Sequence, residues 1–414
     1  MTKTTKKTRA LARVLRSRDA ALLLSALVVS GFGSSALWLA SGVWVKDLTG
    51  SNGLAALCVL TLWAPTLLGP VLGTLADRIR RKRLLIALNL APAGLLLALL
   101  GVDSPDRLWL LFAVLFLYGA ASVVAHAAES ALVAAAVAPE LLGDMGGLRT
   151  TAVEGMKLLA PLTGAGVYAA YGGPGVALLD AATFVCAAGL YACVRVREAR
   201  PAPAVSGLRA RTAEGARFLW GHPGLRPLVV AGGTTMLFAG LNGAVIYAVV
   251  EGLGHFPGYA GALYAVQGAG SVAVGLVSGA ALRRLGERRF AACGIALTAV
   301  AVAVRAVPSD PVALVCSAAI GAGLPCVLIA ALTAVQRETP DALTGRVTAT
   351  AATLIYAPNA LGLALGAGLV EVLPYRPLLV VLGLVRLVTV LPLFQRAASA
   401  SRTIVRSPSD ANPA

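Results

Sequence analysis

The sequence predicts an all-α integral membrane protein of twelve transmembrane helices, arranged as two six-helix pseudo-repeats. Three observations lead there. Of 414 residues 58% are hydrophobic and 13% charged, with a mean hydropathy of +0.80; a soluble domain carries about 45–50% apolar and about 25% charged residues. The apolar residues come in blocks of about 20, the length that carries a helix across a hydrocarbon layer. A short motif also recurs half a chain apart: Pro139-Glu140-Leu141-Leu142-Gly143-Asp144 before the fifth block, and Pro340-Asp341-Ala342-Leu343-Thr344-Gly345-Arg346 before the eleventh, at an offset of 201 residues. Parallel duplication of a six-helix unit is a common membrane architecture.

The chain opens on a basic tail, residues 1–19. The apolar run that follows continues to about residue 45, longer than the 7–15-residue core of a cleaved leader, so it reads as a first span. Blocks at 20–45, 54–75, 84–102, 108–128, 148–171 and 174–194 make a first bundle over 20–195. A polar centre, 196–226, contains Pro201 and Pro203; the stretch from Arg195 to Arg226 carries seven arginines. Within it the weakly amphipathic run Gly207 to Trp220 reads either as a helix lying on an anionic leaflet or as a solvated linker. Blocks at 227–250, 257–281, 290–307, 311–335, 347–370 and 377–395 make a second bundle over 227–395, and 396–414 form a tail. The many Gly, Ala and Pro within the blocks suit helices that pack closely in lipid.

The net charge of +16 comes from 35 Lys and Arg against 19 Asp and Glu. A nucleic-acid surface would need a basic face with aromatics beside it, whereas aromatics are 6% here and the charge alternates with the spans. The tails, the centre and every second loop hold 29 of the 35 basic residues. The opposite loops hold four: Lys46, Arg107, Arg305 and Arg376; Lys157 and Arg386 fall within spans. This sidedness predicts a multi-pass protein of the cell membrane with both termini cytoplasmic, membrane lipids as partners and no nucleic acid. The six cysteines, Cys58, Cys186, Cys193, Cys293, Cys316 and Cys326, lie in apolar stretches without a CxxC or a His cluster, which predicts neither a disulfide framework nor a metal site. There is no G-x-x-x-x-G-K-[ST] phosphate loop and no DDxxD aspartate cluster. Neither an ATP-driven pump nor a membrane prenyltransferase fits; the expectation is a monomer that is not an enzyme and needs no cofactor.

The connection between blocks two and three reads Gly73-Thr74-Leu75-Ala76-Asp77-Arg78-Ile79-Arg80-Arg81-Lys82-Arg83. It resembles the signature loop of the major facilitator superfamily, G-x-L-A-D-R-x-G-R-[KR]. Arg80 stands where the commonest form has Gly, which leaves the tight turn there open. Leu48-Thr49-Gly50-Ser51, Gly221-His222-Pro223-Gly224-Leu225-Arg226-Pro227 and Gly345-Arg346-Val347 are similar to motifs of that superfamily's branch of macrolide, drug and siderophore exporters. The resemblance implies a major facilitator fold and efflux of a small amphipathic drug or natural product, such as an antibiotic, with uptake of a small metabolite or a membrane protein that does not transport as the alternatives. It implies that Gly73, Asp77 and Arg78, with Arg81 and Lys82, latch the cytoplasmic side of the outward-facing state. In physical terms Gly73 permits close helix approach, Asp77 suits a neighbouring helix N-terminus, and the basic cluster suits inner-leaflet phosphates.

Charged groups inside spans cost about 2.5–3.5 kcal/mol each on insertion scales. Glu154 and Lys157 share one face of span five and are candidates for proton coupling or for the substrate cavity, with a neutralised structural pair as the alternative. Asn242, Gln267 and Asn359 are neutral cavity candidates, equally suited to interhelical bonding. His126 and Glu129 are weaker candidates, explained by interfacial solvation. The resemblance places helices six and twelve at the periphery, so Asp180 and Arg386 read as structural. Ala160-Pro161-Leu162-Thr163-Gly164 resembles an altered antiporter motif G-P-x-x-G, which suggests protons as the coupling partner through Pro161 and Gly164; Ala160 replaces its first Gly, and span four lacks the buried Arg of drug–proton antiporters.

Overall fold

A computed structural model of the chain describes residues 14, 16–69, 72, 79–137, 139–196, 208–340 and 343–389. Among them every regular element is a helix. The first, α1 (Arg18–Thr49), stops where Gly50 turns left-handed at φ 70° and returns its N–H to the Lys46 carbonyl, a helix end that a side chain would strain. Ser51 then caps α2 (Asn52–Trp63), accepting from the Leu54 N–H at 3.0 Å. Pro65 lies in the 3-10 turn Ala64–Leu68 that continues this span.

The remaining spans follow in order. α3 (Arg81–Ala98) and α4 (Leu108–Ala136) come next. α5 (139–171) passes to α6 (173–193) through Gly172 at φ 66°. The central helix is α7 (Leu208–Gly221). α8 (Leu225–Ala244) resumes as Ile246–Gly252. α9 (260–285) passes to α10 (287–304) through Gly286 at φ 71°. α11 (Asp310–Glu338), α12 (Thr344–Val372) and α13 (Tyr375–Val388) end the described chain. Eight helical stretches are each long and apolar enough to cross a membrane. Two of these hold two spans apiece, across Gly172 and Gly286; with the divided α2 and the described part of α13, the segments make twelve.

The repeat is written in backbone contacts. Gly164 of α5 lies against the Ala36 carbonyl of α1, where a methyl group would approach to 2.6 Å. In the second lobe Gly362 of α12 lies against the Leu237 carbonyl of α8 in the same way. Likewise Gly119 of α4 meets the Leu62 carbonyl of α2, and Gly321 of α11 meets the Gln267 carbonyl of α9. Each helix pair in one lobe thus has a counterpart in the other, and at each the missing side chain is what allows the approach. The lobes meet along two equivalent seams. At one, Gly53 of α2 packs under Ala367 and Glu371 of α12; at the other, Gly261 of α9 packs on Pro161 and Ala165 of α5.

The two ends of the bundle differ. At the end where Arg18 lies beside Cys193, the terminal end, the buried cores are separate. Leu23, Leu85, Leu132, Met145 and Tyr191 form one in the first lobe; Leu219, Leu228, Ile295, Val335 and Val347 form another in the second. At the far end one core joins both lobes, bringing Leu37, Val43, Trp44 and Leu115 together with Ile246, Tyr247, Val250 and Leu263. Among the described residues the buried cores join across the lobes at the far end and stay separate at the terminal end.

Three expectations change. α4 runs to Ala136 and α5 starts at Pro139, because the alanine-rich stretch after Glu129 continues as helix; Glu129 is therefore inside a helix and 7% exposed, and interfacial solvation does not account for it. Arg305 caps the end of α10 and is 2% exposed, not a loop residue. The central polar stretch contains a helix whose Leu219 is buried in the second lobe's core while Trp220 is half exposed, so this part is docked protein and not a solvated linker.

Candidate functional site

The closure at the far end is built by the α1–α2 turn. Because Gly50 reverses the chain and Ser51 starts α2 at once, Lys46, Ser51, Asn52 and the Gly53 N–H are presented together to the second lobe. Lys46 Nζ lies 2.8 Å from Glu251 Oε2 at the end of α8, and Asn52 Nδ2 donates to the same oxygen at 3.0 Å. Ser51 Oγ and the Gly53 N–H donate to Glu371 Oε1 of α12 at 2.7 and 2.5 Å. Lys46 also donates to the Gly50 carbonyl at 2.6 Å. Hydrogen bonds from Lys46 and then Asn52 hold the Glu251 carboxyl below the usual glutamate range. Beneath this polar layer Tyr247 donates to the Leu39 carbonyl at 3.2 Å, and the Trp38 ring meets the Tyr264 ring edge-on at 4.8 Å. Apart from the Lys46–Gly50 bond within the turn, each of these contacts joins one lobe to the other.

Beneath the closure, at mid-depth, the seam residues are mainly neutral. Asn242 of α8 is 9% exposed and its Oδ1 has no partner among the described residues. Gln267 and Asn359 are half-buried, with their own carbonyls serving as floors for Gly321 and Gly240. Glu154 and Lys157 ride on α5, but their side chains lie outside the described residues; Met156 between them reaches Gly31 of α1. The Pro161–Gly164 motif sits where α5 touches both α1 and the second lobe's α9, through Ala36 and Gly261. Ala160 is fully buried.

Of the signature loop, Gly73, Asp77 and Arg78 lie outside the described residues. Arg81 and Lys82 open α3, and Lys82 Nζ donates to the carbonyls of Ala192 and Val194 at 2.7 and 2.9 Å. A cation on the last carbonyls of α6 satisfies acceptors that the helix itself leaves open, and it ties Lys82 to its own lobe. Arg80 adopts φ −58° and ψ 120°, which any residue takes without strain, so glycine is not required there. The second lobe carries a counterpart of the loop between α9 and α10, Gly279-Ala280-Ala281-Leu282-Arg283-Arg284-Leu285-Gly286-Glu287-Arg288-Arg289. In it Gly286 stands at the place of Arg80 and does turn left-handed. This copy's Glu287 pairs with Arg337 of α11 at 2.7 Å.

The weaker candidates divide. Glu129 pairs with Arg149 of α5 at 3.4 Å; His126 is exposed with Nδ1 2.7 Å from the Ser122 carbonyl. Arg386 is 2% exposed, and its Nε and Nη2 have no hydrogen-bond partner among the described residues. Asp180 is fully buried and held by Tyr118 and Thr183. Sequence reasoning missed Glu251, Glu371 and Asn52, and treated Lys46 only as a sidedness count. A signal existed: in a charge-poor chain, Lys46 beside the L-T-G-S turn and two glutamates at the ends of spans seven and eleven all fall on the side that holds only four of the 35 basic residues.

Comparison with known proteins agrees with this architecture. Two stretches, residues 22–256 and 228–412, match the family described as Major Facilitator Superfamily. No curated protein matches the chain. Among solved structures, the nucleoside transporter NupG is similar with a TM-score of 0.72 at 13% identity, covering 90% of this chain and 98% of its own. The POT family transporter PepTSo gives 0.74 at 12%, covering 93% and 99%. A bacterial homologue of the iron transporter ferroportin, in an inward-facing state, gives 0.69 at 17%, covering 92% and 97%. At such identities the shared feature is the fold. With family matches running through both lobes and twelve spans repeated as six and six, the chain belongs to the Major Facilitator Superfamily of membrane transporters.

Proposed function

We propose that the protein is a secondary transporter of the cell membrane that exports a small amphipathic drug or natural product in exchange for protons, by alternating access, as a monomer with both termini cytoplasmic. The observation that carries alternating access is the unequal joining of the lobes: one shared core and a polar closure at the far end, separate cores at the terminal end. On the charge-derived topology this arrangement faces inward. Export is supported by the L-T-G-S, G-H-P-G-L-R-P and G-R-V motifs, and an amphipathic substrate by the neutral polar groups Asn242, Gln267 and Asn359 with Trp38 and Tyr264 along the seam. Glu154 is the first candidate for the coupling proton. Gly73, Asp77 and Arg78 are proposed to hold the terminal end shut in the opposite state, when the far-end contacts of Lys46 and Ser51 have parted.

The test is transport into inside-out vesicles with amphipathic antibiotics as probes. Accumulation that collapses with the proton gradient is expected, with Glu154→Gln losing that dependence and Asp77→Asn losing transport while still inserting. Gradient-driven movement in the opposite direction would overturn export in favour of uptake, and normal transport by Asp77→Asn would remove the latch.

A further inference from the structure

A carboxylic acid is buried in the first lobe with no counter-charge among the described residues. Asp180 of α6 is 0% exposed, some 10 Å along the helix from its far end at 1.5 Å per residue. Its Oδ2 is 2.9 Å from Tyr118 Oη of α4, and Tyr118 Oη is 2.7 Å from Ser34 Oγ of α1. Its Oδ1 is 3.1 Å from Thr183 Oγ1, which also lies 2.8 Å from the Asp180 carbonyl. Gly33 gives α1 the room to approach, since any side chain there would strike Asp180 and Thr183. Among the described residues no cation reaches the acid. The elements touching it bring one titratable group, Tyr118. The charged and titratable residues of α1 (Arg18, Asp19, Lys46, Asp47) and of α4 (His126, Glu129) lie at least eight residues along those helices from the contacts. On α5, Glu154 and Lys157 flank Met156, which meets α1 at Gly31.

Counting protons decides what this arrangement does. Ser34 has one hydroxyl proton, and in the structure it lies 2.8 Å from the Ser30 carbonyl, which can only accept. With that proton committed, the 2.7 Å contact requires Tyr118 to donate to Ser34. Tyr118 then has no proton left for Asp180, and the 2.9 Å contact requires Asp180 Oδ2 to carry one. An ionised Asp180 needs the reverse order: Ser34 donates to Tyr118, Tyr118 to Oδ2, and Thr183 turns from the backbone carbonyl to Oδ1. Burial of a lone carboxylate favours the neutral form, while three aligned hydroxyls can stabilise the charged one. Ser34 is partly exposed, whereas Tyr118 is 4% exposed. Ser34 lies one turn below Trp38 on α1, and the Trp38 ring meets the second lobe. The row thus leads from the lobe seam to the buried acid.

We propose that Asp180 is a reversible proton-binding site reached through Ser34 and Tyr118. A proton arriving at Ser34 Oγ displaces the Ser34 proton to Tyr118 Oη, and the Tyr118 proton moves to Asp180 Oδ2. One proton is bound and one negative charge is neutralised. The row of donors reverses, releasing Ser34 to the α1 backbone and so linking proton uptake to the contact between α1 and α4. As a candidate coupling site this rests on the proton-exchange reading; as a proton-binding site it does not.

The experiment is infrared spectroscopy of the purified full-length protein in lipid, which needs no substrate. The carbonyl stretch of a protonated carboxylic acid is followed between about pH 5 and 9, spanning the range over which buried carboxyls titrate. A band that fades as pH rises is expected, absent from Asp180→Asn. Tyr118→Phe removes the donor to the charged form and should raise the midpoint; Ser34→Ala leaves Asp180 as the only acceptor for Tyr118 and should lower it, each by about tenfold in proton affinity. The opposite shifts assign the band even where Asp180→Asn does not purify. A band that persists unchanged, one absent throughout, or shifts in the same direction would overturn the site. Loss of proton-driven export with the titration intact would overturn the transport reading alone.

Discussion

Lys46 and Glu251, 205 residues apart in sequence, meet at 2.8 Å across the far end of the lobe interface. Lys46 is anchored, 10% exposed and also bonded to the Gly50 carbonyl, whereas Glu251 is 61% exposed. Solvent screens such a pair, so its worth is about 0.2–1 kcal/mol. Lys46→Ala or Glu251→Gln should therefore shift the population toward far-end opening by about 1.4- to 5-fold. Spin-label distances between the far ends of α1 and α8 measure this. The exchange Lys46→Glu with Glu251→Lys should restore the wild-type distribution; unaltered distances in both single variants would remove the pair from the closure.

The same pair sets a pH dependence with a defined sign. Lys46 and Asn52 hold the Glu251 carboxyl below its ordinary value of 4.5. A depressed carboxyl contributes above its free value and loses the contribution as pH falls through the depressed one. Far-end closure should be constant from neutral pH down to about 4.5 and weaken below that, with Glu251→Gln removing only part of the change, because hydrogen bonds from Ser51 and then the Gly53 N–H hold the Glu371 carboxyl low across the same seam. A transition near neutrality in the same distance measurement would point to another group.

The glycine floors should be intolerant in pairs. At Gly164 an added methyl meets the Ala36 backbone, and at Gly362 it meets that of Leu237. Overpacking a close contact costs about 1–3 kcal/mol. Gly164→Ala and Gly362→Ala should both lower the thermal unfolding midpoint in detergent, whereas Gly94→Ala and Gly189→Ala, with no heavy atom within 4 Å of the added carbon, should not. Equal effects at all four would mean the floors add nothing to packing.

Much of this was legible in local pattern because lipid imposes it. Block length marked the spans. Segment ends were less so: helix α4 absorbs the alanines after Glu129 because nothing in them stops a helix, and α2 loosens at Pro65. What the pattern does not contain is pairing across hundreds of residues. Glu251 and Glu371 looked like ordinary span ends until the α1–α2 turn was seen to present Lys46 and Ser51 to them. Asp180 was placed at the periphery by its helix, but its burial depends on Gly33 of α1 and its hydrogen bonding on Tyr118 of α4. Neither partner stands out in a sequence rich in glycine and hydroxyl groups.

The two copies of the loop before the third helix of each lobe offer a last comparison. Arg80 sits at φ −58° and Gly286 at φ 71°, although they occupy the same place in the repeat. A left-handed residue with a side chain costs about 1–2 kcal/mol, so Gly286→Ala should destabilise the second lobe. Arg80→Gly should gain nothing, because the backbone there needs no glycine, and should cost about 0.4–1 kcal/mol through the greater freedom of the unfolded chain. Thermal unfolding of the two variants in detergent separates the cases. Stabilisation by Arg80→Gly would mean that the loop does use the glycine turn of the family motif, and that Arg80 is held there against the preference of its backbone.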